Sequence, residues 1–194
     1  MTYRELSAIA ALAFVMHAPV VAQPAQLEIL SQPEIDSPIG VRNPNGPPEL
    51  AEFDFVIGDW DADIHFTSRN GQELNYAARW HNIWIANGMV VFQEWRVPYI
   101  TGVELRQYNR QAGHWMGTNN YPGPRGPIMT TGHRSADRMV INVTLEGPGG
   151  PYLGREVYTD IETNSFRMYA EESHDDGETW EAGRYRMTAM RATN

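Results

Sequence analysis

The chain contains no cysteine and no lysine; all 15 of its basic residues are arginine. Without cysteine there is no disulfide to staple the fold, no thiol nucleophile and no thiolate metal ligand. Without lysine there is no Schiff base, no attachment point for pyridoxal phosphate and no lysine general base. No stretch approaches twenty consecutive apolar residues, so no membrane-spanning helix is expected. Positive charge is scarce: the net charge is −9, which makes nucleic acid and anionic membrane surfaces poor partners. Also missing are a Gly-x-Ser-x-Gly elbow, a phosphate loop and a dinucleotide fingerprint, leaving hydrolase, kinase and dehydrogenase chemistry without a motif. His65, His81, His114, His133 and His174 are scattered. None forms His-Glu-x-x-His or another close ligand spacing, so no metal is expected.

What is present begins with a leader. Arg4, an apolar run from Ala8 to Met16, and Val20-Val21-Ala22 before Gln23 read as a signal peptide over residues 1–22. Arg4 and Glu5 leave together, so the mature charge is unchanged, and the expected location is periplasmic or secreted. Residues 23–52 carry Pro24, Pro33, Pro38, Pro44, Pro47 and Pro48. Such a stretch sustains neither helix nor central strand and reads as a linker or a strap over the surface. Residues 53–194 are left for one domain with a sizeable core. The stretch from about Pro48 to Phe55 can make one helical turn, with Leu50, Phe53 and Phe55 capping an end of the domain.

From Gly58 onward the pattern is strand, turn, strand. Trp60, Ala62, Ile64 and Phe66 share one face while Asp61, Asp63 and His65 share the other. Gly58 before Trp60 allows close approach at the base of a closed sheet, which the indole would plug. Asn70-Gly71 and Asn87-Gly88 are hairpin turns. Between them Tyr76, Ala78, Trp80 and Trp84 share a parity. Further segments run at Met89–Val97, Gly102–Arg110, Gly113–Asn120, Ile128–Ser135, Arg138–Glu146, Tyr152–Asp160, Ser165–Ser173 and Gly183–Arg191. About ten hairpin-connected strands with little helix predict an all-β fold, an antiparallel up-and-down β-barrel of lipocalin or nitrobindin type, since closure removes both exposed edges.

Ser173-His174-Asp175-Asp176-Gly177-Glu178-Thr179-Trp180 fits the pattern called an Asp-box, used repeatedly in sialidase propellers and present here once. Asp175, Gly177 and Trp180 are therefore assigned to structure, as a side-chain-capped turn with a glycine at positive φ and an indole beneath it; Gly58 is assigned likewise.

Taken together, Phe53 to Trp60, the paired Trp80 and Trp84 before Asn87-Gly88, Gly102 to Tyr108, Gly113-His114-Trp115, and Ser173 to Trp180 with Arg191 closing resemble a family of bacterial lipocalin-like barrels, the DUF1579 group. The resemblance spans most of residues 53–191 and implies a barrel with an internal cavity; the family carries no established reaction. Nitrobindin-type haem barrels look like more distant relatives, although no one histidine here matches their haem ligand.

A barrel of this size either fills with side chains or holds one small ligand. Candidate ligand-binding residues are Trp60, Trp84, Trp95, Arg106, Tyr108, Trp115, Tyr121 and Glu172. Arg106 has two placements: inward it offers a fixed fork to a carboxylate or carbonyl beside Tyr108; outward it pairs with Glu94 or Glu104. Candidate catalytic residues are His133, on a Gly-flanked strand, and Glu94, whose pKa an aromatic pocket would raise. The Pro/Gly-rich loop 119–127 is placed to cover a barrel mouth, where Tyr121 and Arg125 could touch a guest. Three functions follow. The first is binding a small hydrophobic or aromatic molecule without a cofactor. The second is cofactor-independent isomerase, lyase or dehydratase chemistry in the cavity, and the third is haem binding through a histidine. A filled, purely structural barrel and self-association into a homo-oligomer stay open.

Overall fold

A computed structural model describes residues 37–68, 70–123 and 126–193. The leader, the start of the Pro-rich stretch and Arg125 lie outside these residues. The strands are β1 (Gly58–Thr67), β2 (Glu73–Ile85), β3 (Val90–Val97), β4 (Ile100–Asn109), β5 (His114–Asn120), β6 (Ile128–Ser135), β7 (Arg138–Gly147), β8 (Gly150–Thr159), β9 (Ser165–Ser173) and β10 (Glu181–Arg191). Each pairs antiparallel with its neighbours in sequence, and β1 pairs with β10, so the ten strands form one closed barrel. The fold class is the one the alternation implies, and the predicted segments match the strands to within about two residues.

One end of the barrel is plugged. Pro47 and Pro48 fix the chain direction for a 3₁₀ segment, Pro48–Val56. With three residues per turn, Leu50, Phe53 and Val56 fall on a single stripe, and all three are buried. Phe53 meets Trp115 edge-on with ring centroids 4.4 Å apart, and Phe55 packs edge-on against Phe166 at 5.4 Å. A wall of ten strands encloses more space than aliphatic side chains readily fill. Buried Trp60, Trp80, Trp84, Trp95 and Trp115 supply the volume.

The indoles follow the tilt of the strands. Trp60, Trp80 and Trp95 are register partners on β1, β2 and β3, and the next position in that row is Gly102 on β4. Because the rungs of a tilted barrel run obliquely to its axis, this row starts beside the plug and climbs to the opposite, open end. Trp80 and Trp95 are stacked at 4.3 Å. Trp60 donates its indole N–H to the Val56 carbonyl at 2.7 Å, tying β1 to the plug.

Gly58 has φ +118°, and a Cβ there would lie 2.4 Å from Nη1 of Arg191. The close approach is therefore by a side chain. Arg191 lies over the Trp60 ring, 4.2 Å from its centroid, and donates to the carbonyls of Ile57 at 3.0 Å and Thr163 at 3.1 Å. From Ser37 the strap is bonded to the β2–β3 turn: Ser37 N–H donates to the Asn87 side chain, Gly40 N–H to the Trp84 carbonyl and Asn43 N–H to the Gly88 carbonyl. Gly88 permits this contact, since a Cβ would strike Asn43 N at 2.3 Å. In the Ser173–Trp180 turn, Asp175 accepts from the backbone and hydroxyl of Thr179, and Gly177 has φ +91°. The Trp180 ring carries the Arg155 guanidinium 3.8 Å from its centroid.

Gly58→Ala both strains φ and displaces Arg191, so we expect a loss of about 1–3 kcal/mol in urea unfolding. Arg191→Ala removes the same contacts, and the double variant should lose less than the sum of the two. Additive losses would show that Gly58 and Arg191 act independently.

Candidate functional site

Away from the plug the interior opens into a cavity of about 280 Å³. It is lined by inward residues of seven strands and the segment after β5. Apolar surface comes from Trp95, Val97, Ile100, Met168 and Ala170; polar groups come from Tyr76, Glu104, Asn119, Tyr121, Glu156 and Tyr185. Larger hollows lie on the outer wall, about 520 Å³ beside β1, β9 and β10 and about 800 Å³ across β3 to β6. The first also touches the buried Met168 and Met187, and the second Met89 and Tyr108 beside the packed end, but no buried charged side chain lines either. The inner cavity is the one that adjoins buried charge, and it is the candidate site.

Strand register assembles the polar wall. Asn82, Gln93, Glu104 and Asn119 are successive partners on β2, β3, β4 and β5, all facing inward. Arg106, one inward position along β4 and 1% exposed, bends back to this row. Its Nη2 donates to Glu104 Oε2 at 2.8 Å, and Nη1 to Asn119 Oδ1 at 2.8 Å. The bend needs space beside it, and the β5 partner of Arg106 is Gly117, where a Cβ would lie 2.8 Å from Arg106 Cδ. Tyr121 completes the set by donating to Glu104 Oε1 at 2.6 Å. Its ring occupies the place of a side chain at Gly102, where a Cβ would sit 2.2 Å from Cδ1. Both oxygens of Glu104 are thus held, one by a guanidinium and one by a phenol.

Glu156 on β8 is different. Its one side-chain hydrogen bond among the described residues comes from Tyr158 O–H at 3.1 Å, and none of the described arginines lies within ion-pair distance. Desolvation by the surrounding rings and the nearby negative charge of Glu104 push its pKa up to about 7, against the pull of Arg106 and the Tyr158 hydrogen bond. Burial and neighbouring carboxylates also raise Tyr121, Tyr158 and Tyr185, so all three remain phenols. Several buried polar atoms find no partner among the described residues: Nε1 of Trp80 and of Trp95, both amide atoms of Asn82, Gln93 Oε1, Arg106 Nε and Thr130 Oγ1. Such atoms are costly inside a protein.

The candidates expected from sequence divide three ways. Trp95 and Tyr121 line the cavity, and Arg106 backs it through Glu104 and Asn119. Trp60, Trp84, Tyr108 and Trp115 sit in the packed end; Tyr108 lies against Trp115, whose indole donates to Glu52, so none of them reaches a guest in the cavity. Glu172 is at the rim, 3.4 Å from Arg184, and does not line the cavity. The catalytic constellation does not form. His133 is exposed because Thr130 and Gly132 take the inward positions of β6. Glu94 faces outward and pairs with Arg96 at 2.8 Å, because Gln93 and Trp95 occupy the inner face of β3. Sequence reasoning missed Glu156, Tyr158, Tyr185 and Asn119. Parity held the signal, since Tyr152, Gly154, Glu156 and Tyr158 share the face of β8 that Tyr158 drives inward.

None of the five described histidines is buried: His81 bonds Asp59 on the outer wall and His174 stacks on Tyr152 at the rim. A haem bound through histidine has no axial ligand inside the described barrel. Among the described residues no group of three or more His, Asp or Glu is placed to hold a metal ion, and no helix is long and apolar enough to cross a membrane.

No protein-family model matches the chain. A search of curated proteins also finds no match. Among solved structures, Rv2717c from M. tuberculosis is similar at a TM-score of 0.52 and 11% identity, with 76% of this chain and 99% of that chain covered. A protein of unknown function from the DUF3598 family of Nostoc punctiforme covers 76% of this chain and is wholly covered itself, at 10% identity and a TM-score of 0.26. At these identities the likeness of Rv2717c concerns the fold alone.

Two outcomes are expected of the buried charges. Arg106→Met leaves Glu104 without its guanidinium and should cost about 3–5 kcal/mol, whereas Glu104→Gln/Arg106→Met should recover much of that loss in chemical denaturation. The pKa of Glu156 is raised on folding, so its contribution to stability is fully present below its unfolded value of 4.5 and is lost as pH rises to about 7. The stability difference between wild type and Glu156→Gln should therefore shift in favour of the variant across that window and level off above it. A pH-independent difference would place the carboxyl in water.

Proposed function

We propose that the protein binds a small, mostly aromatic or apolar molecule carrying a polar group in the open end of its barrel. The observation that carries this reading is the cavity itself: about 280 Å³, apolar on Trp95, Val97, Ile100 and Met168, with Glu104, Glu156 and three tyrosines converging on it. That volume lies just below the usual range for ligand sites, which limits a guest to one or two rings. Few convergent polar groups on an aromatic wall suit recognition of one functional group on a flat body. The reading extends to an exported barrel related to the DUF1579 group, on the leader pattern and motifs of the sequence.

Cavity chemistry is the second reading, and one observation favours it: Glu156, poised near 7 beside Arg106 and Tyr158, has the character of a general acid or base. It replaces His133 and Glu94 as the residue on which a cofactor-independent isomerase or lyase would depend.

Binding is read by tryptophan fluorescence against a panel of small aromatic molecules. Trp95→Ala should weaken binding about tenfold or more, while Trp84→Ala, in the packed end, should leave affinity unchanged in the folded protein. Equal loss from both variants would place the guest elsewhere.

A further inference from the structure

Among the described residues the inner wall of the open end carries three charged side chains, Glu104, Arg106 and Glu156, and they do not balance. The Glu104–Arg106 pair is 2.8 Å apart and closed by Tyr121 and Asn119. At the rim Glu172 is offset by Arg184. Of these carboxylates, Glu156 alone has no cation among the described residues within ion-pair distance, and it faces the cavity with only the Tyr158 phenol as a donor. A half-buried carboxylate in that position, facing aromatic rings and a second carboxylate, is stabilised by taking up a proton or by meeting a positive charge.

The rest of the lining is suited to the second option. Trp95, Tyr76, Tyr121 and Tyr185 surround the space, and the faces of such rings attract cations. Trp95 is 6% exposed, so what it gives the cavity is a small part of its ring. Two carboxylates against one guanidinium repel an anion. The net charge of −9 draws cations toward the protein at long range.

We propose that the cavity takes a small organic cation, an amine on an aromatic or apolar body, with its ammonium group set against Glu156. This deepens the binding reading above and rests on it. The groups facing Glu156 are Glu104 and Arg106 from β4, Tyr121 beyond β5, Tyr185 from β10 and Tyr158 on its own strand; its register partners Ile141 on β7 and Ala170 on β9 carry no charge. An ammonium guest stabilises the ionised carboxylate, so binding near neutral pH releases a proton from Glu156. A neutral guest binds without this release.

Isothermal titration of the full protein with 2-phenylethylammonium, 2-phenylethanol and phenylacetate tests the proposal, using two buffers of different ionisation enthalpy to count protons. The ammonium should bind about tenfold tighter than the alcohol, with phenylacetate weakest, and its affinity should rise roughly tenfold from about pH 6 to about pH 8 as Glu156 ionises. Only the ammonium should release a proton. Glu156→Gln, which keeps an acceptor for Tyr158, should abolish the ammonium preference and the proton release while retaining the alcohol. Should that variant not fold, the wild-type pH series and proton count decide alone. Alcohol binding that equals or exceeds ammonium binding, or an ammonium preference that survives in Glu156→Gln, overturns the proposal and leaves the binding reading standing. No heat and no tryptophan quenching with any of the three overturns both.

Discussion

The stacking of Arg191 on Trp60 holds the first strand to the last, and the rest of the molecule depends on that seam. The two residues are register partners at the end of the β1–β10 ladder. The guanidinium lies on the indole face while bonding the carbonyl of Ile57 before β1 and of Thr163 before β9. The indole N–H bonds the end of the 3₁₀ plug. One contact thus fixes the closing ladder, the plug and the turn before β9 together. Closure in turn sets the parity of every strand, because a one-residue slip at the seam would exchange the inner and outer faces.

Parity, once set, divides the interior into a packed half and an open half. The packed half is aromatic and stabilises the fold by burial: each ring taken out of water is worth about 1.5–3 kcal/mol. The open half uses part of that stability to hold the Glu104–Arg106 ion pair out of water beside the half-buried Glu156, an arrangement that favours a site over a better-packed core. Glycines make it fit. Gly117 and Gly102 remove side chains where Arg106 and Tyr121 must lie, so the polar wall is shaped by what is missing from the register as much as by what is there.

Much of the fold was legible because strands with one face inside alternate cleanly. Trp60, Ala62 and Ile64 on β1, and Ala78, Trp80 and Trp84 on β2, are buried as their spacing implies. The site was less legible, for a reason visible in β3 and β4. Gln93 and Glu104 face the interior among polar and apolar residues alike, and Glu94 is as acidic as Glu104 but faces out, so composition could not say which carboxylate was inside. Buried Val91 and Trp95 set the parity of β3, and the pairing of Val91, Gln93 and Trp95 with Arg106, Glu104 and Gly102 carries it to β4. For Arg106 the two open placements were decided by space: Gly117 opposite it leaves room inside. His133 faces out because Gly132 itself takes the inward position beside it, where a Cβ would lie 2.6 Å from Cδ1 of Ile141.

The single ladder between β1 and β10 joins segments from opposite ends of the domain, whereas every other ladder joins neighbours in sequence. As the chain leaves the ribosome, β2 can cover one side of β1 almost at once, but the other side has no complement until residues 181–191 emerge. Throughout that interval β1 is an unprotected edge able to recruit a strand from another molecule. Asp59, Asp61 and Asp63 lie on its outer face, the first two paired with His81 and Arg79 of β2, and charged side chains so placed blunt that edge against a second copy before either barrel has shut.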